Sequence, residues 1–215
     1  MCGRFTLYTP LDEIVERFSL GAPSWDYVPS YNVAPTQMVF AVVPEQEGRA
    51  PSPFLLRWGL TPAWQKKGAG RPLINARLET LAEKPTFRGL VNTNRCLIIA
   101  DGFYEWKTEN GEKHPVYITL DGGKPFAFAG LWEDCSSPSC TIVTQAASSF
   151  MEPIHHRMPV ILTPETEPLW LSSLPFAELA PLLPDQEGRS FRYHRVSKLV
   201  NSPRNNQIEC IMPLE

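Results

Sequence analysis

The chain has 215 residues, 43% hydrophobic and 20% charged, with a formal net charge of −3 at pH 7. That composition is ordinary for a globular protein, and the length fits a single domain over residues 1–215 with enough chain to bury a core. No apolar run reaches the ~18 residues of a membrane span; an odd count of five cysteines with no export signal argues against paired structural disulfides, and the lack of a C-x-x-C spacing argues against a zinc or redox motif.

In chain order, the first expected element is a helix after Thr9-Pro10. Thr9 is a cap candidate, Pro10 suits the first turn, Leu11, Ile14, Val15 and Phe18 share one face, and Gly21 ends it. Strand-like runs follow at 38–43, 54–58, 95–100, 103–107, 116–120, 126–131 and 141–144, with a last one at 193–196. Asn110-Gly111 and Asp121-Gly122-Gly123 are turn signals, so the middle third reads as antiparallel hairpins. Short helices are expected at 75–84, 164–171 and 176–183, and 22 prolines argue against longer ones. The sum is an α+β, β-rich single domain, with antiparallel strands around one core and short helices at the periphery.

Four segments hold residues suited to chemistry. The first is Met1-Cys2-Gly3-Arg4-Phe5. Initiator methionine is normally removed before a small residue, and removal leaves Cys2 with an amine and a thiol on adjacent carbons. An α-amine of pKa ~7.7–8.0 is partly neutral and nucleophilic at pH 7, unlike lysine at ~10.4. It can attack an aldehyde to give an imine, and the thiol can close on the same carbon. The second is Ile74-Asn75-Ala76-Arg77 with Glu79. Asn75 is a helix cap or an amide that holds a reacting group. Arg77 is a phosphate clamp or a partner for Glu79. In the third, Glu105 lies in an aromatic strand with Tyr104 and Trp106. It is an acid or base with a raised pKa, or an outward residue paired with a neighbouring cation. In the fourth, His155-His156-Arg157 places two histidines on different faces, so one of them at most joins a given site.

Together these segments resemble the SRAP (SOS-response-associated peptidase) family of abasic-site processing proteins. The likeness also runs through Tyr31-Asn32-Val33-Ala34-Pro35, Arg57-Trp58-Gly59-Leu60, Arg95-Cys96-Leu97, Ala129-Gly130-Leu131, Met158-Pro159-Val160 and Val200-Asn201-Ser202-Pro203. His156 stands where such proteins often carry Asp or Asn. The resemblance implies an SRAP-like fold with a positively charged groove for single-stranded DNA. It implies that Cys2, freed of Met1, forms a thiazolidine crosslink with the abasic-site aldehyde. Asn75 and His155 would then hold and protonate the opened sugar, and Glu105 would assist ring opening and proton transfer. It further implies DNA contacts from Arg4, Arg77 and Arg157, with Pro35 and Trp64 as stacking or wedge surfaces. A lyase side reaction and autocatalytic removal of Met1 fit the same residues.

The net charge of −3 requires basic residues to be segregated on one face, and thirteen of the twenty are Arg, which suits phosphate recognition. Two other classes use the same features. One is a thiol peptidase with Cys2, His155 and Glu105 as nucleophile, base and orienter. The other is a non-covalent reader of damaged or modified DNA. Four histidines and five cysteines show no ligand spacing, so no metal and no cofactor are expected. Arg4 and Asp12 interrupt any signal-peptide pattern, so the expected setting is a monomer in the cytoplasm, at the nucleoid in a bacterium.

Overall fold

The computed structural model describes residues 2–44, 51–62 and 71–214. In chain order its elements are β1 (Arg4–Leu7), α1 (Leu11–Arg17), β2 (Ser30–Val33), β3 (Met38–Val43), β4 (Ser52–Trp58), β5 (Asn75–Arg77), α2 (Leu90–Thr93), β6 (Arg95–Ala100), β7 (Gly102–Glu109) and β8 (Glu112–Leu120). They continue with β9 (Phe126–Glu133), β10 (Ser139–Ala146), β11 (Arg157–Pro159), α3 (Thr166–Leu171), α4 (Phe176–Leu179) and β12 (Phe191–Arg195). The α+β, β-rich reading holds. No helix among the described residues is long and apolar enough to cross a membrane.

The strands form two sheets. One has the order β12-β8-β7-β1-β2, and the other runs β11-β10-β4-β3-β6-β9, with β5 and β9 also paired to β10. Strand alternation sorts the side chains between two cores. In β3, Val39, Ala41 and Val43 face the core between the sheets, while Phe40 and Val42 face a second core. In β6, Cys96, Ile98 and Ala100 face the first, and Leu97 and Ile99 the second. The four helices cover that second core with Ile14, Val91, Trp170, Phe176 and Leu179. Both faces of the larger sheet are therefore buried, which explains why these strands read as nearly continuous apolar runs.

Several local expectations are corrected. Thr9 does not cap α1; its hydroxyl donates to Asp101 (2.7 Å), and Pro10 is the cap residue. The helix stops at Arg17, before Gly21, and Ser19 takes the left-handed conformation beyond it (φ 52°). Asn110-Gly111 is a hairpin turn as expected, joining β7 to β8 with φ of 53° and 80°. Asp121-Gly122-Gly123 is not one, because β8 and β9 lie in different sheets and the turn carries the chain across. The helix expected at 75–84 is instead strand β5 followed by a 3-10 turn over Leu78–Thr80. The segment has helix-forming Ala, Arg and Leu, but three parallel pairs with β10 (Ile142↔Asn75, Val143↔Ala76, Thr144↔Arg77) override that propensity. Strand β10 also runs parallel to β4.

Candidate active site

The two sheets each bring part of a cluster to their shared interior. Cys2 lies two residues before the start of β1. That strand pairs antiparallel with β7 in the register Arg4↔Tyr104 and Phe5↔Phe103. One further step in that register brings Gly3 level with Glu105. Phe103 lies in the inter-sheet core, while Tyr104 and Trp106 belong to a cluster on the opposite face of the sheet. Alternation therefore turns Glu105 inward, where it is 3% exposed. This excludes an outward-facing residue paired across the surface. It also places the two aromatic neighbours behind the carboxylate rather than around it.

Asn75 comes from the other sheet. Its strand is fixed on both sides of the preceding residue: Trp58 Nε1 donates to Ile74 O at 2.9 Å, and Ile142 N donates to the same oxygen at 3.1 Å. From there Asn75 Nδ2 donates to Cys2 O at 3.0 Å. This bond joins the sheets at the reactive residue, and it replaces the capping role that a helix at 75 would have given. Among the described residues, Asn75 Oδ1 is buried without a hydrogen-bond partner. A buried amide oxygen left unpaired costs about 1–3 kcal/mol, so a donor bound beside it would be favoured.

His155 lies just before β11, with its backbone N–H bonded to Met151 O (2.9 Å). Its ring Nδ1 accepts from Arg157 N at 3.0 Å, and the ring stacks on His156 with centroids 4.4 Å apart. His155 is half-buried and His156 exposed. Burial lowers the His155 pKa, and the negative charge of Glu105 opposes it. The same carboxylate acts on Cys2, whose thiol is fully buried. Burial first, and Glu105 second, push that thiol well above the ordinary thiol range. At neutral pH the sulfur thus holds its proton and needs a base to lose it.

The remaining residues singled out in the sequence are more dispersed. The guanidinium of Arg157, a residue 9% exposed, makes a bidentate pair with Glu79 (2.6 and 2.9 Å) and donates to Thr144 O (2.7 Å). Glu79 is thus the partner of Arg157, not of Arg77. Arg4 Nη1 donates to Asn32 Oδ1 (2.8 Å) and Val200 O (2.6 Å), and Nη2 to Asn201 O (3.2 Å). Arg77 is exposed on β5, two residues from Asn75. Pro35 lies in a tight turn closed by Gln37 N donating to Ala34 O (3.2 Å). Trp64 falls outside the described residues. Sequence reasoning missed the bracing roles of Asn32, Trp58 and Glu79. A polar Asn32 inside an apolar strand was the one available signal.

The cluster therefore combines a thiol, a carboxylate, an imidazole and an amide, drawn from four distant chain segments. Such a set can donate and accept protons around one carbon bound at residue 2. Comparison with known proteins gives four findings. The profile of the family described as SOS response associated peptidase (SRAP) matches residues 1–203. The chain is 44% identical to the abasic site processing protein YoqW of Bacillus subtilis (strain 168), over 98% of this chain and 99% of that one. It is 32% identical to the abasic site processing protein YedK of Escherichia coli (strain K12) over the full length of both. A crystal structure of a protein from Bacteroides thetaiotaomicron has the same fold, with a TM-score of 0.83 at 24% identity and complete coverage of both chains.

Proposed function

Because the chain belongs to the SOS response associated peptidase (SRAP) family, we propose that it processes abasic sites in single-stranded DNA by covalent capture at Cys2. The relatives named as abasic site processing proteins support the substrate class. The observation that carries the chemistry is the bond from Asn75 to Cys2 O, with Glu105 electrostatically coupled to both Cys2 and His155.

The reaction begins with hydrolysis of the Met1–Cys2 peptide bond, which uses one water and frees the α-amine. The abasic sugar opens from hemiacetal to aldehyde, with a proton leaving the C1′ hydroxyl and one reaching O4′. Glu105 and His155 are the acceptor and donor for that exchange. The amine attacks C1′, and the carbinolamine loses water to give an imine. The thiol then adds across the C=N bond: sulfur bonds to carbon, and the thiol proton ends on nitrogen by way of Glu105. The product is a thiazolidine, formed from aldehyde, amine and thiol with net loss of one water. Ring closure removes the imine, which is the species that drives β-elimination and strand cleavage. Where closure fails, the same scaffold acts as a lyase. A thiol peptidase would use the same Cys2, His155 and Glu105 on the Met1–Cys2 bond, and self-processing requires only one turnover.

The experiment is mass spectrometry of the protein mixed with a single-stranded oligonucleotide bearing one abasic site, without reductant. The expected product has the mass of the Met1-free protein plus the oligonucleotide minus one water, mapped to the N-terminal peptide. Cys2→Ala should abolish it. Undiminished adduct in Cys2→Ala, or adduct on a chain that still carries Met1, sinks the assignment. Reversible binding alone in the wild type marks a non-covalent reader instead.

A further inference from the structure

We infer that residues 200–206 form a latch that sets the geometry of Cys2 and Glu105, with Arg4 and Asn32 as its positioning residues. The inference rests on the capture reaction proposed above. Four sequence motifs that lie far apart meet here. Asn32 is 1% exposed on β2. Its Nδ2 is shared among Val200 O (3.2 Å), Ser202 O (3.0 Å) and Asn205 O (2.7 Å), while its Oδ1 accepts from Arg4. The Arg4 fork holds the same segment through Val200 O and Asn201 O. Trp106 Nε1 donates to Asn201 Oδ1 at 2.8 Å. Tyr104 OH donates to Tyr31 O at 2.6 Å, and Asn206 Oδ1 accepts from Tyr31 N at 2.7 Å.

The latch thus grips Arg4, two residues after Cys2, and the two neighbours of Glu105, Trp106 directly and Tyr104 through Tyr31. A thiol and a carboxylate that must meet one carbon depend on such alignment, because misplacement by about 1 Å can cost about 10²-fold in rate. The three Arg4 side-chain hydrogen bonds go to three different protein oxygens, which a planar fork can reach at once. The fork geometry, rather than the charge, is what this arrangement uses.

Arg4→Lys separates the two roles, since lysine keeps the charge but cannot span Asn32 and two carbonyls. Adduct formation is measured at saturating abasic oligonucleotide, beside affinity for the same strand without the lesion and its salt slope. The latch predicts a saturating rate about tenfold lower with affinity and salt slope unchanged. A phosphate-contacting Arg4 predicts a saturating rate near that of wild type, and that result, or a rate that falls only in step with affinity, overturns the latch. Asn201→Ala alters an exposed side chain and leaves the buried core intact; it should lower the saturating rate by a few-fold, and no change overturns the inference equally. Alkylation of Cys2 by iodoacetamide, mapped by mass spectrometry, reads the latch without DNA. It should be several-fold faster in both variants, and equal rates reject the latch. A wild type that forms no adduct sinks the capture reaction, while alkylation still decides the latch.

Discussion

Arg157 shows how a single residue type can carry opposite readings. An arginine beside His155 fits a phosphate clamp, yet its guanidinium is nearly buried and occupied by Glu79 and Thr144. The hydrogen bonds from Arg157 hold the Glu79 carboxyl below the usual glutamate range. A carboxylate with a depressed folded pKa contributes stability that is present above its unfolded value and lost as pH falls through the folded one. Glu79 is half-exposed, so solvent screens the pair and its worth lies at about 1–2 kcal/mol, between surface and buried pairs. Glu79→Gln should therefore lower the melting temperature at pH 7, and the gap to wild type should close below about pH 4 as Glu79 itself protonates. Thermal melts at pH 7 and pH 3 check this; a gap that persists at pH 3 would mean that packing, not charge, is lost. Cys2, Asn75, Glu105 and His155 were readable as candidates from their residue types, and the fold brings the four together. The partners of Arg4 and Arg157 were not, because a guanidinium serves carbonyls, carboxylates and phosphates alike and only the fold selects among them.

Elements buried on both faces, or paired by local turns, were the legible ones. Strands β3 and β6 read directly as apolar runs, and Asn110-Gly111 announced its hairpin. Strands β1, β2, β5 and β11 have only three or four residues each, and their identity comes from long-range pairing that no local window contains. The turn at residues 34–37 was equally silent, although it braces the site through Thr36 N donating to Trp58 O (2.7 Å), while Trp58 in turn holds Ile74. Thr36 follows Pro35 with φ at +76°, the second central position of a type II turn, which ordinarily takes glycine. The left-handed conformation costs a β-branched residue about 1–2 kcal/mol, and the freer unfolded chain of a glycine costs about 0.4–1. Thr36 is exposed, so its side chain adds little packing to the balance. Thr36→Gly should stabilise the fold by about 0.5–1 kcal/mol, raising the melting temperature by about 2–3 °C. Calorimetry decides it, and a lowered melting temperature would show that the threonine side chain braces the turn.

At the scale of the whole molecule, the larger sheet separates the chemistry from the scaffolding. Cys2 packs in the inter-sheet core on one face, and the helices pack on the other. Arg95 belongs to the second face. It is 2% exposed, and its donors reach Trp170 O (2.6 Å), Val91 O (2.7 Å), Leu174 O (2.9 Å) and Ser172 O. These carbonyls gather where α2 and α3 end, the negative pole of a helix, so the cation offsets both unpaired acceptors and dipole. Arg95→Met keeps much of the length and apolar stem but leaves four carbonyls, two of them buried, without their donor. Summed unsatisfied acceptors of this kind cost about 3–5 kcal/mol after partial solvation, enough to consume much of a typical folding free energy. The urea midpoint should fall accordingly, with the slope unchanged. Because the lesion is on the far side of the sheet from Cys2, adduct formation per folded molecule should remain at the wild-type rate at temperatures where the variant is folded. A variant that folds fully yet captures abasic DNA slowly would mean that the two faces of the sheet are mechanically coupled, and the separation of scaffold from site would have to be abandoned.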